Sequence, residues 1–174
     1  EPGVRPLAIG TLEADDPELA AARRDGRSLV EYYFTCKASL VSYVMRHAAD
    51  ADAISYGDSD IYFFHDLEPL YAEAGEAPVI ITPHRFSPEN RHLESHGRFN
   101  AGWLVFRRCP EGLAALDWWR SRCIEWCRDT VDETNRRFAD QRYIDRFGEN
   151  FPHIHAARHP GVNLAPDRRS TSLN

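Results

Sequence analysis

The apolar run at residues 79–82 is the feature of this sequence that most narrows its choice of fold. Its four residues are Val, Ile, Ile and Thr, without the alternation that marks a strand with one wet face. Such runs are typical of strands that are covered on both faces. Strand-like and helix-like segments alternate along the chain around it, which is the pattern of α/β proteins. We therefore predict an α/β fold with a mixed or mostly parallel sheet flanked by helices.

The remaining segments extend this pattern on both sides of the apolar run. Strand-like composition is found at residues 7–12, 53–56, 99–107 and 153–157. Helical periodicity or helix-start signals are found at residues 17–24, 29–47, 66–74, 112–128 and 138–147. The helix at 112–128 is expected to bury Leu113, Leu116, Trp119, Cys123 and Trp126. Residues 83–98 are polar without a clear period and are predicted to be a long loop.

Length and composition limit the domain organisation and the partners. A chain of 174 residues suits one domain, which we place at residues 1–166, followed by a polar tail at 167–174. The formal net charge of −6 leaves no basic surplus to neutralise phosphates, so a nucleic-acid partner is disfavoured. No apolar run is long enough to cross a bilayer. An oligomer remains compatible with this composition.

The four cysteines bear on the compartment. They lie at positions 36, 109, 123 and 127, form no C-x-x-C pair and follow no visible signal peptide. Reduced thiols are therefore favoured over disulfides, and we predict a cytoplasmic protein, with a peripheral association with the inner membrane left open. The first residue is Glu1 rather than Met, which indicates a processed or trimmed piece of a longer chain.

Asp58 and Asp60 are the clearest candidates for chemistry. They lie between the apolar letters ISY and IYFF, where the chain is expected to be buried. In an extended segment residues two apart point to the same side, so both carboxylates would converge at the end of a strand. Buried like charges need a compensating cation, and hard oxygen ligands favour Mg²⁺ or Mn²⁺. Because the chain has 14 aspartates and a second D-x-D triplet at 50–52, a pair of turn or helix-capping aspartates is an equal alternative.

Five short segments follow one another along the chain: 56–64 (YGDSDIYFF), 83–86 (PHRF), 97–103 (GRFNAGW), 138–143 (FADQRY) and 159–166 (HPGVNLAP). Together they resemble motifs of GT-A-type nucleotide-sugar glycosyltransferases. The set is similar to bacterial glycosyltransferases of surface-polysaccharide gene neighbourhoods. It is more distantly similar to the glycogenin and lipopolysaccharide-galactosyltransferase group. The likeness covers residues 4–166.

This resemblance implies a metal site and a sugar pocket. Asp58 and Asp60 match the metal-binding pair, and His159 matches a late-loop histidine that is the third ligand in the distant relatives. The spacing from this histidine to the following glycine is shorter here than in those relatives. Asn100 and Gly102 match the strand that lines the sugar and acceptor site.

The resemblance also implies catalytic and phosphate-binding residues. Asp140 and Gln141 match residues close to the anomeric carbon of the donor. Asp140 is the candidate both for a nucleophile of a retaining enzyme and for a base of an inverting one, and the two outcomes stay open. Lys37 falls near the position of a basic residue that contacts the donor phosphate. An exposed helix lysine is the alternative for Lys37.

Two departures from the family pattern are visible. Only 57 residues precede Asp58, so the first strand–helix–strand unit of a GT-A domain is expected to be missing. Asp167 stands where the family pattern has tryptophan. Both bear on whether this chain is active by itself.

The expected function is transfer of a sugar from a UDP- or GDP-sugar donor to a saccharide or surface-polysaccharide acceptor. Two alternatives remain open: a non-catalytic sugar- or nucleotide-binding remnant, and a metal-dependent phosphoesterase. The latter would leave the segments 97–103 and 138–143 unexplained. A zinc site at His92 and His96 is disfavoured because the H-E-x-x-H order is absent.

Overall fold

The structure is a computed structural model that describes residues 3–159 and 161–163. In this part of the chain it has six α-helices and four β-strands. The helices are α1 (Ile9–Asp15), α2 (Pro17–Ala22), α3 (Leu29–His47), α4 (Glu68–Ala74), α5 (Pro110–Glu125) and α6 (Phe147–Asn150). The strands are β1 (Ala53–Gly57), β2 (Val79–Pro83), β3 (Phe99–Arg107) and β4 (His155–Ala156). Two 3-10 helices occupy Pro88–His96 and Ile144–Arg146.

The four strands form one sheet in the order β1-β3-β2-β4. β3 runs antiparallel to both of its neighbours, with Leu104 opposite Tyr56 and Phe106 opposite Val79. β2 and β4 are parallel. The predicted α/β class with a mixed sheet is confirmed. A mostly parallel sheet is wrong for the described residues, because the segment between β2 and β3 turns the chain back instead of crossing over the sheet.

Helices cover both faces of the sheet, as the apolar run at 79–82 predicts. On one face Val79, Leu104 and Phe106 pack against α3 and α5. On the other face Ile80 and Val105 pack against α4. Neighbouring residues of each strand thus point to opposite cores, which explains why these strands lack polar alternation.

α3 is held at its start by two local devices. Ser28 and Glu31 form a capping box, in which each side chain accepts a hydrogen bond from the other residue's backbone N–H. The buried guanidinium of Arg27 donates to Thr35 Oγ1 at 2.8 Å and to the carbonyl oxygens of Cys123 and Ile124 at the end of α5. A cation at the C-terminus of α5 satisfies carbonyls that the helix leaves free.

Most predicted elements are confirmed to within three residues: those at 17–24, 29–47, 53–56, 66–74, 79–82, 99–107 and 112–128. All four cysteines are free thiols, as predicted. The predicted strand at 153–157 is reduced to the two residues of β4. The polar tail at 167–174, residues 164–166 of the HPGVNLAP motif and Pro160 lie outside the described residues.

The predicted strand at 7–12 is wrong, because residues 9–15 form helix α1. Leu12 is the one buried residue of α1, and it packs against Leu19 of α2 and Tyr32 of α3. Because the backbone N–H and C=O groups of a helix bond to one another, this segment cannot pair with a strand.

The predicted helix at 138–147 is wrong for residues 138–143. Ala139 adopts φ 44°, outside the helical region, and its N–H donates to the carbonyl of Arg128. The chain becomes helical only from Ile144 onwards. The predicted loop at 83–98 contains the 3-10 helix Pro88–His96. Leu113, expected on the buried side of α5, is 41% exposed.

Asp16 joins the first helices to α5. Its Oδ1 accepts the N–H of Leu19 at 3.0 Å, which caps α2, and its carboxylate pairs with Arg120, whose Nε lies 2.8 Å from Oδ2. Burial opposes the charge of Asp16, but the hydrogen bonds from Arg120 and Leu19 outweigh it and lower the pKa of this carboxyl.

We expect Asp16→Ala to destabilise the chain by about 2–4 kcal/mol, because it removes a helix cap and one partner of a buried ion pair. Chemical denaturation at pH 7 measures this difference. Glu18→Gln is the matched control: Glu18 contacts the same arginine at 2.8 Å but is largely exposed, so a change of at most about 0.5 kcal/mol is expected.

The same ion pair predicts a pH dependence. A carboxyl whose pKa is lowered by folding contributes stability above its unfolded pKa, about 3.9, and loses it as the pH falls through the lowered value. The gap between wild type and Asp16→Ala should therefore be complete at pH 6 and narrow below about pH 4. A gap that stays constant down to pH 2 would contradict this role.

Candidate functional site

Asp58 lies where β1 leaves the sheet. Its N–H donates to the carbonyl oxygen of Gly102 on β3 at 2.8 Å, one step beyond the last pair of the β1–β3 ladder. The chain then turns, with the N–H of Ile61 bonded to the carbonyl of Asp58 at 3.2 Å. Asp58 is half-buried and Asp60 is exposed. The expectation that both carboxylates point to one side of an extended segment is therefore wrong, because the segment turns between them.

The aromatic residues that follow are not buried either. Tyr62, Phe63 and Phe64 are 75%, 49% and 76% exposed. The prediction that Asp58 and Asp60 lie inside a buried run is wrong for the residues that follow them. The burial of Asp58 comes instead from β1 and from α3.

Lys37 of α3 holds Asp58 and Asp140 together. Its Nζ lies 3.1 Å from Oδ1 and 3.2 Å from Oδ2 of Asp58, and 3.5 Å from Oδ2 of Asp140. Burial opposes its charge, but the two carboxylates outweigh burial and raise the pKa of Lys37. The alternative of an exposed helix lysine is wrong, since the side chain is 14% exposed.

The amino-acid composition already distinguishes Lys37, although Lys37 lies in none of the motifs. Lys37 is the one lysine of a chain that has twenty arginines. An ammonium is a compact point charge on a flexible stem, whereas a guanidinium is a wide planar fork. A place between two carboxylates on different segments suits the ammonium.

Asp140 is the most buried carboxylate of this group, with a side chain 3% exposed. The positive φ of Ala139 and a hydrogen bond from Trp119 Nε1 to the carbonyl of Asp140 at 2.9 Å set the backbone that carries it. Burial raises the pKa of Asp140, and Lys37 only partly offsets this effect. Among the described residues its Oδ2 makes no hydrogen bond and has Lys37 as its charged neighbour.

Asn100 and Gly102 adjoin Asp58 because β3 is pinned here from two sides. The pairing of β2 with β3 shifts between Ile80 and Thr82 and places Thr82 opposite Asn100. The side-chain oxygen of Asn100 accepts the N–H of Gly102. A Cβ at Gly102 would lie 2.6 Å from Asn100 Oδ1 and 3.2 Å from Asp58 Oδ2, so a larger residue here would displace the side chains of Asn100 and Asp58.

Two residues that sequence reasoning left out belong to the same site. Asn163 accepts the side-chain N–H of Asn100 at 3.2 Å and donates to the carbonyl of Pro83 at 3.2 Å. The Tyr56 hydroxyl donates a hydrogen bond to Asp58 Oδ1 at 2.6 Å. Burial, and to a lesser extent this bond, raise the pKa of Tyr56. Both stand inside the segments that carry the family resemblance, which was the available signal.

Gln141 and His159 lie in other contacts. Gln141 donates to the carbonyl of His96 at 3.1 Å, and so holds the end of the 3-10 helix Pro88–His96. The imidazole of His159 accepts the N–H of Gly161 at 3.1 Å through Nδ1. The structure gives neither side chain a contact with Asp58 or Asp140.

Asp58, Asp60 and His159 are not brought together as a metal site, because no three His, Cys, Asp or Glu side chains converge in this way among residues 3–159 and 161–163. The turn after Asp58 leaves Asp60 exposed. By donor chemistry the two carboxylates suit a magnesium-type ion that completes its shell with phosphate oxygens and water. The residues present therefore fit a cation that takes few protein ligands, and they do not fit a three-ligand site.

No helix in the described part of the chain combines the length and the apolar character that a membrane span requires. No protein-family model matches the sequence, and no solved structure matches it.

Two uncharacterized proteins of Bacillus subtilis strain 168 are similar to the chain. YfnD is 34% identical over 154 residues, which cover 88% of this chain and 49% of YfnD. YfnF is 28% identical over 169 residues, which cover 92% of this chain and 55% of YfnF. The chain spans about half the length of these relatives, and neither description assigns an activity.

Proposed function

We propose that this chain is part of a GT-A-type glycosyltransferase that binds a nucleoside-diphosphate sugar at the cluster around Asp58 and transfers the sugar to a saccharide acceptor. The observation that carries the proposal is the convergence of five residues from four separate segments: Lys37, Asp58, Asn100, Gly102 and Asp140. Four of them lie in motifs that resemble this family, and Lys37 falls near the position of a basic residue in it. Residues up to 103 positions apart meet at one place, which unrelated short motifs have no reason to do.

Lys37 supplies fixed positive charge in a partly water-excluded place. It lies within 3.5 Å of the carboxylates of Asp58 and Asp140, and its ammonium has three donor protons that a phosphate oxygen can accept. Fixed charge of this kind stabilises the negative charge that builds on a departing diphosphate.

Asp140 and the asparagines serve the sugar side of the site. A buried carboxylate whose pKa is raised can accept a proton near neutral pH or orient a hydroxyl group. The amides of Asn100 and Asn163 are polar groups of the kind that bind sugar hydroxyls, and their mutual hydrogen bond sets which way each amide points.

A divalent cation fits the proposal as a ligand of Asp58 and Asp60. When bound, Mn²⁺ or Mg²⁺ acts as a Lewis acid toward phosphate oxygens. Asp58 is paired with the Lys37 ammonium and accepts a hydrogen bond from the Tyr56 hydroxyl, so the chain itself holds this carboxylate in place.

The first test is binding of UDP and GDP in the presence of Mg²⁺, read on Lys37. Because Lys37 is the one lysine, its Nζ gives a single side-chain signal in an ¹⁵N NMR spectrum. Mg²⁺ is used because it is diamagnetic, and we expect nucleotide with Mg²⁺ to shift that signal and to raise the melting temperature. Both effects should be lost in the double variant Asp58→Asn/Asp60→Ala.

The matched control is Asp50→Ala/Asp52→Ala, which removes the exposed D-x-D triplet of the same spacing. It should bind nucleotide as the wild type does. Binding without transfer from any UDP- or GDP-sugar would favour the binding remnant. Hydrolysis of a simple phosphoester without a sugar donor would contradict the proposal.

A second prediction concerns the charge balance. We expect Lys37→Met to destabilise the chain by about 3 kcal/mol, because Asp140 is left buried without a compensating charge. Adding Asp140→Asn to Lys37→Met should recover at least half of the loss. Denaturation of the two single variants and the double variant gives the coupling energy.

Lys37→Arg is the matched variant in this series, because it keeps the charge and changes the shape of the head group. It should be less stable than the wild type if the compact ammonium matters. Additive losses in the cycle would show that Lys37 and Asp140 do not depend on each other.

A further inference from the structure

A second network of charged contacts holds the segment after β4, here called the late loop (residues 157–159 and 161–163). Glu73 of α4 accepts three hydrogen bonds, one from His155 of β4 and two from the late loop. Its Oε1 lies 2.7 Å from Nε2 of His155 and accepts the N–H of Arg158 at 2.7 Å, and its Oε2 accepts the N–H of His159 at 3.0 Å. The Glu73 side chain is 19% exposed, so these bonds are only partly screened by water.

Arg85 binds the same stretch through its carbonyl groups. Its Nη1 donates to the carbonyl of His159 at 2.9 Å and its Nη2 donates to the carbonyl of Ala157 at 2.8 Å. Together Glu73 and Arg85 bond two N–H and two C=O groups within three residues. Backbone groups outside regular structure need such partners, and charged partners give the stronger bonds.

The far end of the late loop reaches the candidate site. The N–H of Val162 bonds to the carbonyl of His159 at 3.1 Å, which closes a turn. Asn163 then bonds to Pro83 and to Asn100. Asn100 in turn accepts from Gly102, whose carbonyl binds the N–H of Asp58. Hydrogen bonds, together with the peptide link from Val162 to Asn163, thus connect Glu73 and Arg85 to Asp58.

We infer that Glu73 and Arg85 are positioning residues: they hold the late loop so that Asn163 fixes the amide of Asn100 beside Asp58. Neither residue needs to contact the substrate for this role. What the site does with the positioned amide rests on the proposed function, but the positioning itself is a property of the free chain. It can therefore be tested without any ligand.

The test is NMR of the whole chain carrying Glu73→Ala. We expect the amide protons of Arg158 and His159 to exchange about tenfold faster, because each loses a bond to a charged acceptor. The side-chain NH₂ signals of Asn100 should shift toward those of a free amide. Arg85→Ala should move the same Asn100 signals, since it releases the same loop.

Glu76→Ala is the matched control, because Glu76 follows α4 closely but its side chain is 97% exposed; it should leave Asn100 unchanged. Glu73→Gln keeps an oxygen acceptor and should give an intermediate shift, which also covers a failure of Glu73→Ala to fold. Unchanged exchange at Arg158 and His159 would overturn the inference. Faster exchange with an unchanged Asn100 would overturn it too, since the loop would then not position the site.

Nucleotide binding separates this inference from the proposed function. If the wild type binds UDP or GDP with Mg²⁺, Glu73→Ala should weaken that binding about tenfold, as expected for a residue that orients a binding group. If the wild type binds neither, the proposed function fails, while the Asn100 signals still decide whether Glu73 and Arg85 position the site.

Discussion

Strand β3 is hydrogen-bonded along both edges and buried on both faces, and the sheet and the site both depend on it. Its apolar residues alternate between the core under α3 and α5 and the core under α4. The strand begins with Phe99, and near this first end Asn100 and Gly102 replace apolar packing with polar contacts. Because Gly102 has no side chain, the side chains of Asp58 and Asn100 can both lie against it, and its carbonyl oxygen accepts the N–H of Asp58. The same strand that closes the core therefore collects the polar groups of the site.

The charges at the end of β3 are balanced by Lys37. Two carboxylates close together in a half-buried place repel each other, and burial alone opposes the ionised form of each. The Lys37 ammonium lies within 3.5 Å of both carboxylates and partly offsets the effect of burial on the pKa of Asp140. α3 carries this ammonium, and α3 is itself anchored by its capping box and by Arg27. The stability of the helical layer and the charge state of the site are thus linked through one helix.

Sequence patterns predicted the core elements well and the edges poorly. The strands at 79–82 and 99–107 and the helix at 29–47 have long apolar patterns that many contacts reinforce. The segments at 7–12 and 138–147 differ from the prediction because a single residue decides the conformation of each. In the first, Leu12 of α1 packs against α3; in the second, Ala139 has a positive φ. The site was predicted in part, since Asp58, Asn100, Gly102, Asp140 and Lys37 meet. His159 and Gln141 are drawn into other hydrogen bonds, which spacing along a chain does not reveal.

The sequence by itself determined that this chain forms an α/β core with strands covered on both faces, since a run without polar residues is stable only where both sides exclude water. It also determined which residue types are available for chemistry, including a single lysine. Only the tertiary structure decided that Asp60 turns outward, that Lys37 lies between Asp58 and Asp140, and that Glu73 and Arg85 hold the late loop. These outcomes depend on distances between segments far apart in the chain, and such distances are set by packing rather than by local pattern.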